Sequence, residues 1–290
     1  MFALLSAALF GAGMPLAKLL LGGTDAWLLA GLLYVGAAIG LSVILLARRP
    51  LKIAVTDQPL RRQDLPWLAG AVLAGGVTGP ALLMLGLAHT PASSASLLLN
   101  LEVLATMAIA WAVFGEVIGR RLLLGAAAIL AGAALVSWMG SVGTLGWGAA
   151  AIAGACLAWG IDNNLTRRLS HADALQITLI KGVVAGPVNL GLALGHGAAL
   201  PSLGVTLAAG IIGVFCYGVS LSLFVMGLRH MGAARTGAYF ATAPFVGAAI
   251  AVPMFAEPVT PRLLAAAVLM GGGVALLLAD HQGDTDVRRS

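Results

Sequence analysis

Two short stretches of the chain decide its fold: residues 110–121, AWAVFGEVIGRR, and residues 251–262, AVPMFAEPVTPR. They lie 141 residues apart, and in both a Phe-x-Glu group is followed five residues later by Arg. Extending the match aligns residues 86–135 with 227–276 and gives 16 identities in 50 ungapped positions. The distinctive identities are Gly86/Gly227, His89/His230, Phe114/Phe255, Glu116/Glu257, Arg121/Arg262 and Gly132/Gly273. The sequence therefore predicts an internal repeat.

The composition predicts a membrane protein with many spans. Of the 290 residues, 60% are apolar and only 9% are charged, and the mean hydropathy is +1.00. A soluble domain carries about a quarter charged residues, because its outer shell must face water. These numbers exclude a soluble enzyme, a disordered chain and a nucleic-acid-binding protein. The net charge of +5 is instead typical of cytoplasmic loops rich in Lys and Arg.

Ten segments are long and apolar enough to cross a bilayer, which takes about 20 residues. The first segment carries Pro15 and Lys18 and lacks a basic leader, so we expect a helix of the mature protein and not a signal peptide. The predicted class is an all-α polytopic membrane protein. The ten segments are 2–21, 26–47, 66–88, 92–113, 120–139, 145–166, 173–195, 203–228, 235–255 and 261–279.

The distribution of positive charge predicts the orientation. With the N-terminus in the cytoplasm, thirteen of the sixteen Lys and Arg residues lie on the cytoplasmic side. Only Arg262 lies outside, and Lys18 and Lys181 lie within spans. Because cytoplasmic loops carry the excess of Lys and Arg, both termini are predicted to be cytoplasmic.

The repeat unit holds five helices, which is an odd number, so the second copy must enter the membrane upside down. We predict a first repeat over residues 1–139, an inverted second repeat over 140–279 and a cytoplasmic tail over 280–290. Inverted repeats are a signature of secondary transporters, in which two halves exchange roles between an inward-open and an outward-open state. Duplication that serves stability alone is the alternative.

This organisation resembles the drug/metabolite transporter superfamily, and its EamA-like family in particular. The resemblance implies a basket of helices one to four and six to nine around a central cavity, with helices five and ten at the periphery. Most similar are bacterial aromatic amino-acid exporters, which implies the bacterial inner membrane, a small-molecule substrate and an outward direction. The features that carry it are Phe10-Gly11 with Trp159-Gly160, the stretch GLAHTPASSAS at 86–96, and Phe114-Gly115-Glu116 with Gly125 and Gly132, matched by Phe255-Ala256-Glu257 and Gly273.

One departure from the family pattern concerns the fourth helix, where many members have a Pro. Here Pro244 supplies it in the second half, and the matching position of the first half holds Val103. The two halves are therefore expected to bend differently.

Polar groups and helix breakers inside apolar spans are the candidate site residues, since polarity in lipid is costly. Glu102 suits a proton or ammonium site, or a carboxylate paired within the bundle. Lys181 suits a substrate carboxylate, a pair with Glu102 or Asp162, or a stem that reaches the inner surface. Asp162 is expected at a solvated helix end. The predicted substrate-cavity residues are Met14, Pro15, Asn100, Glu102, Trp159, Asn163, Lys181, Tyr239 and Thr242.

Three of these residues suggest how a substrate would be held. Asn163 follows Trp159 by four residues and shares its helix face, which offers an aromatic wall beside a polar group. This pairing suits an aromatic or apolar substrate with a zwitterionic end. Pro15 is expected to break the first helix, because it removes a backbone hydrogen bond.

Other function classes find less support in the sequence. An intramembrane enzyme would need chemistry that H-E-x-x-H, G-x-S-x-G or a paired-aspartate motif supplies, and the sequence has none of these. A nucleotide-driven pump would need the phosphate-binding motif G-x-x-x-x-G-K-[ST], which is also missing. A channel would need a charged ring or a carbonyl filter. We expect a facilitative or weakly proton-coupled transporter without metal or cofactor, as a monomer or homodimer, with a proton-coupled exporter of other metabolites or drugs as the alternative.

Overall fold

The computed structural model describes residues 2–48, 60–114, 119–137, 146–169, 172–224, 226 and 239–287. The secondary-structure elements formed by these residues are helices. The α-helices are α1 (Phe2–Leu21), α2 (Ala26–Arg48), α3 (Leu65–Ala71), α4 (Gly79–Ala88), α5 (Ala92–Leu98), α6 (Leu101–Phe114), α7 (Arg120–Ser137), α8 (Trp147–Arg168), α9 (Ala174–Gly195), α10 (Leu203–Ile212), α11 (Ala243–Met254) and α12 (Pro261–Val287).

The described helices overlap the segments predicted from hydropathy. Within the described ranges, six helical stretches are long and apolar enough to cross a membrane, and three shorter apolar helices accompany them. The arrangement of ten helices as two repeats stays a prediction, and so do the repeat boundaries. Residues 235–238 of the ninth segment lie outside the described residues. The last helix runs to Val287, beyond the predicted end at residue 279.

Two of the spans contain a π-helical turn that hydropathy did not predict. The π-segments are π1 (Val72–Thr78), between α3 and α4, and π2 (Gly213–Val219), which follows α10. Each holds two glycines within seven residues, and their first residues lie 141 positions apart. A π-turn leaves backbone carbonyls out of the regular ladder, and such turns are frequent at functional sites.

The fourth predicted span is also interrupted, at Leu99 and Asn100. Here Leu99 and Asn100 bond to carbonyls three residues earlier, and the Asn100 amide donates to the Leu97 carbonyl at 2.9 Å. A similar turn at Ala241 and Thr242 precedes α11, where the Thr242 hydroxyl donates to the Tyr239 carbonyl at 2.6 Å. Both segments are therefore interrupted, one with and one without a following proline, where a side chain bonds back to the turn before it. That the two halves bend differently stays a prediction.

Helices cross where glycine removes the side chain. A Cβ at Gly11 of α1 would overlap the backbone of α11 at Ala243 and meet Gly247, and a Cβ at Gly160 of α8 would lie 2.9 Å from the amide nitrogen of Thr106 in α6. The long helices α2 and α9 pack along each other, as do α7 and α12. Small residues at such crossings let backbones approach, which is how helices associate in lipid.

Pro15 does not interrupt the first helix. α1 is continuous from Phe2 to Leu21, and Pro15 is buried inside it. Proline leaves the carbonyl four residues earlier, that of Gly11, without its helical donor. Gly247 of the neighbouring helix α11 packs close to this carbonyl oxygen. The predicted break at Pro15 is therefore wrong.

A candidate central binding site

A buried ion pair joins α8 to α9. The Lys181 ammonium lies 2.5 Å from Oδ1 of Asp162 and donates to the Thr166 hydroxyl at 3.0 Å, while that hydroxyl donates to Asp162 Oδ1 at 2.8 Å. The two charged side chains are only 11% and 10% exposed. Of the partners considered from sequence, Asp162 is thus the one that Lys181 takes. The expectation of a solvated helix end at Asp162 is wrong, because the carboxylate is turned into the bundle to meet this cation.

π1 supplies the wall against which this pair packs. A Cβ at Gly75 would overlap the Asp162 carboxylate, so only glycine lets the carboxylate approach here. The Gly75 carbonyl accepts from the Tyr34 hydroxyl at 2.9 Å and from Trp159 Nε1 at 3.0 Å. Asn189 donates to the next carbonyl, that of Gly76, at 3.0 Å. Side chains of α2, α8 and α9 therefore all anchor on this one turn.

A second polar group lies between α6 and α8. The Asn163 amide donates to Glu102 Oε1 at 2.9 Å and to the Thr106 hydroxyl at 3.1 Å. Among the described residues, Glu102 has no ion pair. Glu102 is half-buried and Asn163 is exposed. The role of Asn163 as a polar group of a substrate site stays a prediction, and Trp159 is buried and donates to the Gly75 carbonyl of π1.

A row of aromatic rings continues the site away from the charges. Tyr34 lies 5.9 Å from Tyr217, measured between ring centroids, and Tyr217 lies 6.0 Å from Phe10. Phe10 lies 5.1 Å from Phe240, which meets Phe224 edge-on at 4.7 Å. These distances are typical of favourable aromatic pairs. Sequence reasoning missed Phe10, Phe224 and Phe240 as members of one row, because their three helices meet only in the fold.

The other predicted cavity residues have mainly structural surroundings. Met14 is 2% exposed and belongs to the apolar core. Asn100 and Thr242 use their donor groups to hold the two helix breaks, although Oδ1 of the buried Asn100 has no hydrogen-bond partner. Tyr239 is 43% exposed at the end of the break before α11. Among the described residues, His, Cys, Asp and Glu form no group that would hold a metal ion.

Comparison with known proteins decides the family. The EamA-like transporter family matches residues 1–138 and residues 146–279, which together cover almost the whole chain. The chain belongs to the EamA-like transporter family. This transporter is also 30% identical over 230 residues, which is 77% of this chain and 67% of the relative, to an uncharacterized transporter of Methanothermobacter thermautotrophicus. A protein of known crystal structure shares the fold, with a TM-score of 0.69 at 19% identity, and 94% of each chain is covered.

A second polar contact of the transporter lies at the far end of α1. The Lys18 ammonium donates to the carbonyl of Leu87 at 3.0 Å and to that of Thr90, at the end of α4. Glu257 accepts from the backbone amides of Ala92 and Ser93 at 2.7 and 3.1 Å, and from the Ser93 hydroxyl. These contacts form the Lys18–Glu257 clasp, which ties the turn between α4 and α5 to α1 and to the segment that precedes α12.

We expect Glu257→Gln to loosen this clasp. The amide keeps one acceptor oxygen and loses the charge, while hydrogen bonds to a charged group are worth about 1.5–3 kcal/mol. Amide hydrogen exchange at Ala92 and Ser93 should become about tenfold faster or more. Asp25→Asn is the matched control, because Asp25 also accepts from two backbone amides, those of Trp27 and Leu28, and its other contact is with His196 and not with the turn between α4 and α5. Unchanged exchange at Ala92 and Ser93 in Glu257→Gln would show that the clasp does not hold the turn.

Proposed function

We propose that the chain is a secondary transporter that exports aromatic and large neutral amino acids by alternating access. The observation that carries the proposal is the central site, where the Asp162–Lys181 pair and the first ring of the aromatic row, Tyr34, meet π1 and the polar group of Glu102 and Asn163 lies at the next residue of α8. Such a site offers apolar area for a side chain and polar groups for its charged end. It binds and releases without a covalent step, which agrees with a transporter family.

The second part of the proposal is that the two halves are inverted repeats that rock against each other. Equivalent crossings support it. Gly11 and Gly160 are counterparts in sequence, and Gly11 meets Val246 and Gly247 while Gly160 meets Ala105 and Thr106, the residues 141 positions earlier. The equal spacing of π1 and π2 gives the same support. A fixed site between such halves can face each side in turn.

The remaining parts of the proposal follow from charge and family. We propose that both termini are cytoplasmic, which the excess of Lys and Arg supports, and that the membrane is a bacterial inner membrane, as the family resemblance implies. In that orientation the Lys18–Glu257 clasp lies at the outer end, and the Asp162–Lys181 pair lies in the inner half of the bundle. We propose uniport as the basic mode, because Asp162 and Lys181 neutralise each other. Glu102 favours a second candidate, a proton-coupled exporter of other metabolites or drugs.

Uptake into proteoliposomes made with the purified protein tests the substrate class. Labelled neutral, aromatic, basic and acidic amino acids are offered with and without a pH gradient. We expect uptake of aromatic and large neutral amino acids that does not depend on the gradient. Uptake of none of them would contradict the substrate proposal. Uptake that requires the gradient, and loses that requirement in Glu102→Gln, would favour the proton-coupled candidate.

The aromatic row predicts a selective effect of Phe10→Leu. Leucine keeps the apolar character of the position but loses the ring contacts with Tyr217 and Phe240. We expect the KM for aromatic substrates to rise about three- to tenfold, from aromatic contacts worth about 0.5–1.5 kcal/mol. Phe215→Leu is the matched control, since Phe215 is exposed on the surface of π2. An equal rise in KM for both variants would contradict the assignment.

A further inference from the structure

We propose that Glu102, positioned by Asn163 and Thr106, is the site that binds the ammonium group of the substrate, and that a substrate carboxylate is dispensable. The inference rests on the proposed transport function and names the chemistry that the central site recognises. Substrates would then be ammonium-bearing molecules with an aromatic or apolar body. Amines lacking a carboxylate belong to this class as well as amino acids.

The central site has more acidic than basic groups among its described residues. The acidic groups are the carboxyl groups of Glu102 and Asp162, and the basic group is the ammonium of Lys181. The Lys181 ammonium is bonded to Asp162 and to Thr166, so the Asp162–Lys181 pair is neutral. Glu102 is left without a cation among the described residues. A carboxylate inside a membrane span is costly unless a positive group meets it.

The Glu102 carboxylate has hydrogen-bonding capacity that its described neighbours do not use. An ionised carboxylate accepts at about four positions, and a primary ammonium donates at three. The Asn163 amide uses one acceptor position on Oε1, and its other hydrogen goes to the Thr106 hydroxyl. Oε2 of Glu102 has no donor among the described residues. The amide therefore fixes the orientation of the carboxylate and leaves room for a substrate ammonium.

The Glu102 carboxylate lies between α6 and α8, because it accepts a hydrogen bond from Asn163, the residue after the buried Asp162. The side chain of Asn163 beside it is exposed. Tyr34 begins the aromatic row, so a cation at Glu102 would have its body next to rings. Aromatic faces attract cations in addition to packing with apolar groups.

The substrate carboxylate is dispensable because the described residues of the site offer it little. A carboxylate-binding site needs a free cation or several converging donors. The ammonium of Lys181 is already held by Asp162 at 2.5 Å. The donors of Trp159 and Tyr34 are bonded to the Gly75 carbonyl. Recognition of the positive end is therefore the dominant polar interaction that these residues offer.

Three compounds with one shared body separate the two ends. Phenethylamine carries only the ammonium, hydrocinnamate only the carboxylate, and phenylalanine both. Binding to the purified protein is measured by ligand-dependent thermal stabilisation and by competition for labelled phenylalanine in proteoliposomes. We expect phenethylamine and phenylalanine to bind and hydrocinnamate not to bind. Hydrocinnamate binding as tightly as phenethylamine, or no binding of phenethylamine, would overturn the proposal.

Variants of Glu102 link this selectivity to the residue. Glu102→Gln should weaken binding of both ammonium compounds about tenfold or more, and Glu102→Asp should retain part of it because the charge stays. Equal affinity in wild type and Glu102→Gln would overturn the ammonium site, and phenylalanine transport in both would leave the proposed function standing. Ammonium-selective binding without transport would do the reverse. The compound series on the wild type decides the case even if a variant does not fold.

Discussion

Replacing Asp162 with Asn is expected to be among the most damaging single changes to the protein. The Lys181 ammonium lies 2.5 Å from Asp162 and is buried, so Asn leaves it without its counter-charge. Removing one partner of a buried ion pair costs about 3–5 kcal/mol, most of it from the uncompensated charge. We expect a large loss of monodisperse protein and a lower melting temperature in detergent, since this is a large share of a typical stability.

A double variant tests whether the charges of Asp162 and Lys181 act as a pair. Asp162→Asn combined with Lys181→Met removes both charges, and replacing a buried pair with neutral groups is often close to neutral for stability. The double variant should therefore melt near the wild type, and the two single variants well below it. Additive losses in the double variant would contradict the pairing. Because Glu102, and not the neutral Asp162–Lys181 pair, is proposed to bind the substrate, the rescued variant should also bind phenylalanine.

Gly75→Ala is expected to have a comparably large effect for a steric reason. The new methyl group would overlap the Asp162 carboxylate and push it away from Lys181. It also displaces the carbonyl that accepts from Tyr34 and Trp159. Overpacking a tight contact costs about 1–3 kcal/mol, and the loss of the ion pair adds to it. The melting temperature and the uptake of substrate should both fall.

Gly191→Ala supplies the matched control for this substitution. Gly191 is also a helical glycine in a candidate membrane span, but a Cβ there meets nothing within 4 Å. Alanine should be neutral or stabilise the protein by up to about 1 kcal/mol, because it favours the helix more than glycine does. If Gly75→Ala and Gly191→Ala behaved alike, the close approach of Asp162 to π1 would not be what requires glycine.

Hydropathy and charge located most helices, because about 20 apolar residues have little alternative to a helix in lipid. The internal breaks could not be predicted in this way. Asn100 and Thr242 interrupt their spans by bonding to a carbonyl three residues earlier, and neither changes the hydropathy of its segment. The composition of π1 and π2 does not predict their π-helical turns either. The continuity of α1 through Pro15 could not be predicted from the local sequence either.

The candidate site was predictable in its residues but not in its pairs. The cost of polarity in lipid identified Glu102, Asn163 and Lys181. The choice of Asp162 over Glu102 as the partner of Lys181 depends on how α8 turns against α9 and π1, which is a property of packing. For the same reason, Phe10 was noticed only as part of a family motif, and neither Phe10 nor Phe240 was predicted to belong to the site. The role of π1 as a common anchor could not be predicted, because it depends on side chains of α2, α8 and α9 that meet only in the fold.

Alternating access requires that the two ends of the bundle open in turn, and distance measurements at both ends test this. Spin labels at the exposed positions His89 and Val259 report on the end with the Lys18–Glu257 clasp, and labels at Gln63 and Gln176 report on the opposite end. We expect that adding a transported substrate shifts the two distance distributions in opposite directions, because one end opens as the other closes. Two distances that stay fixed, or that lengthen together, would contradict it.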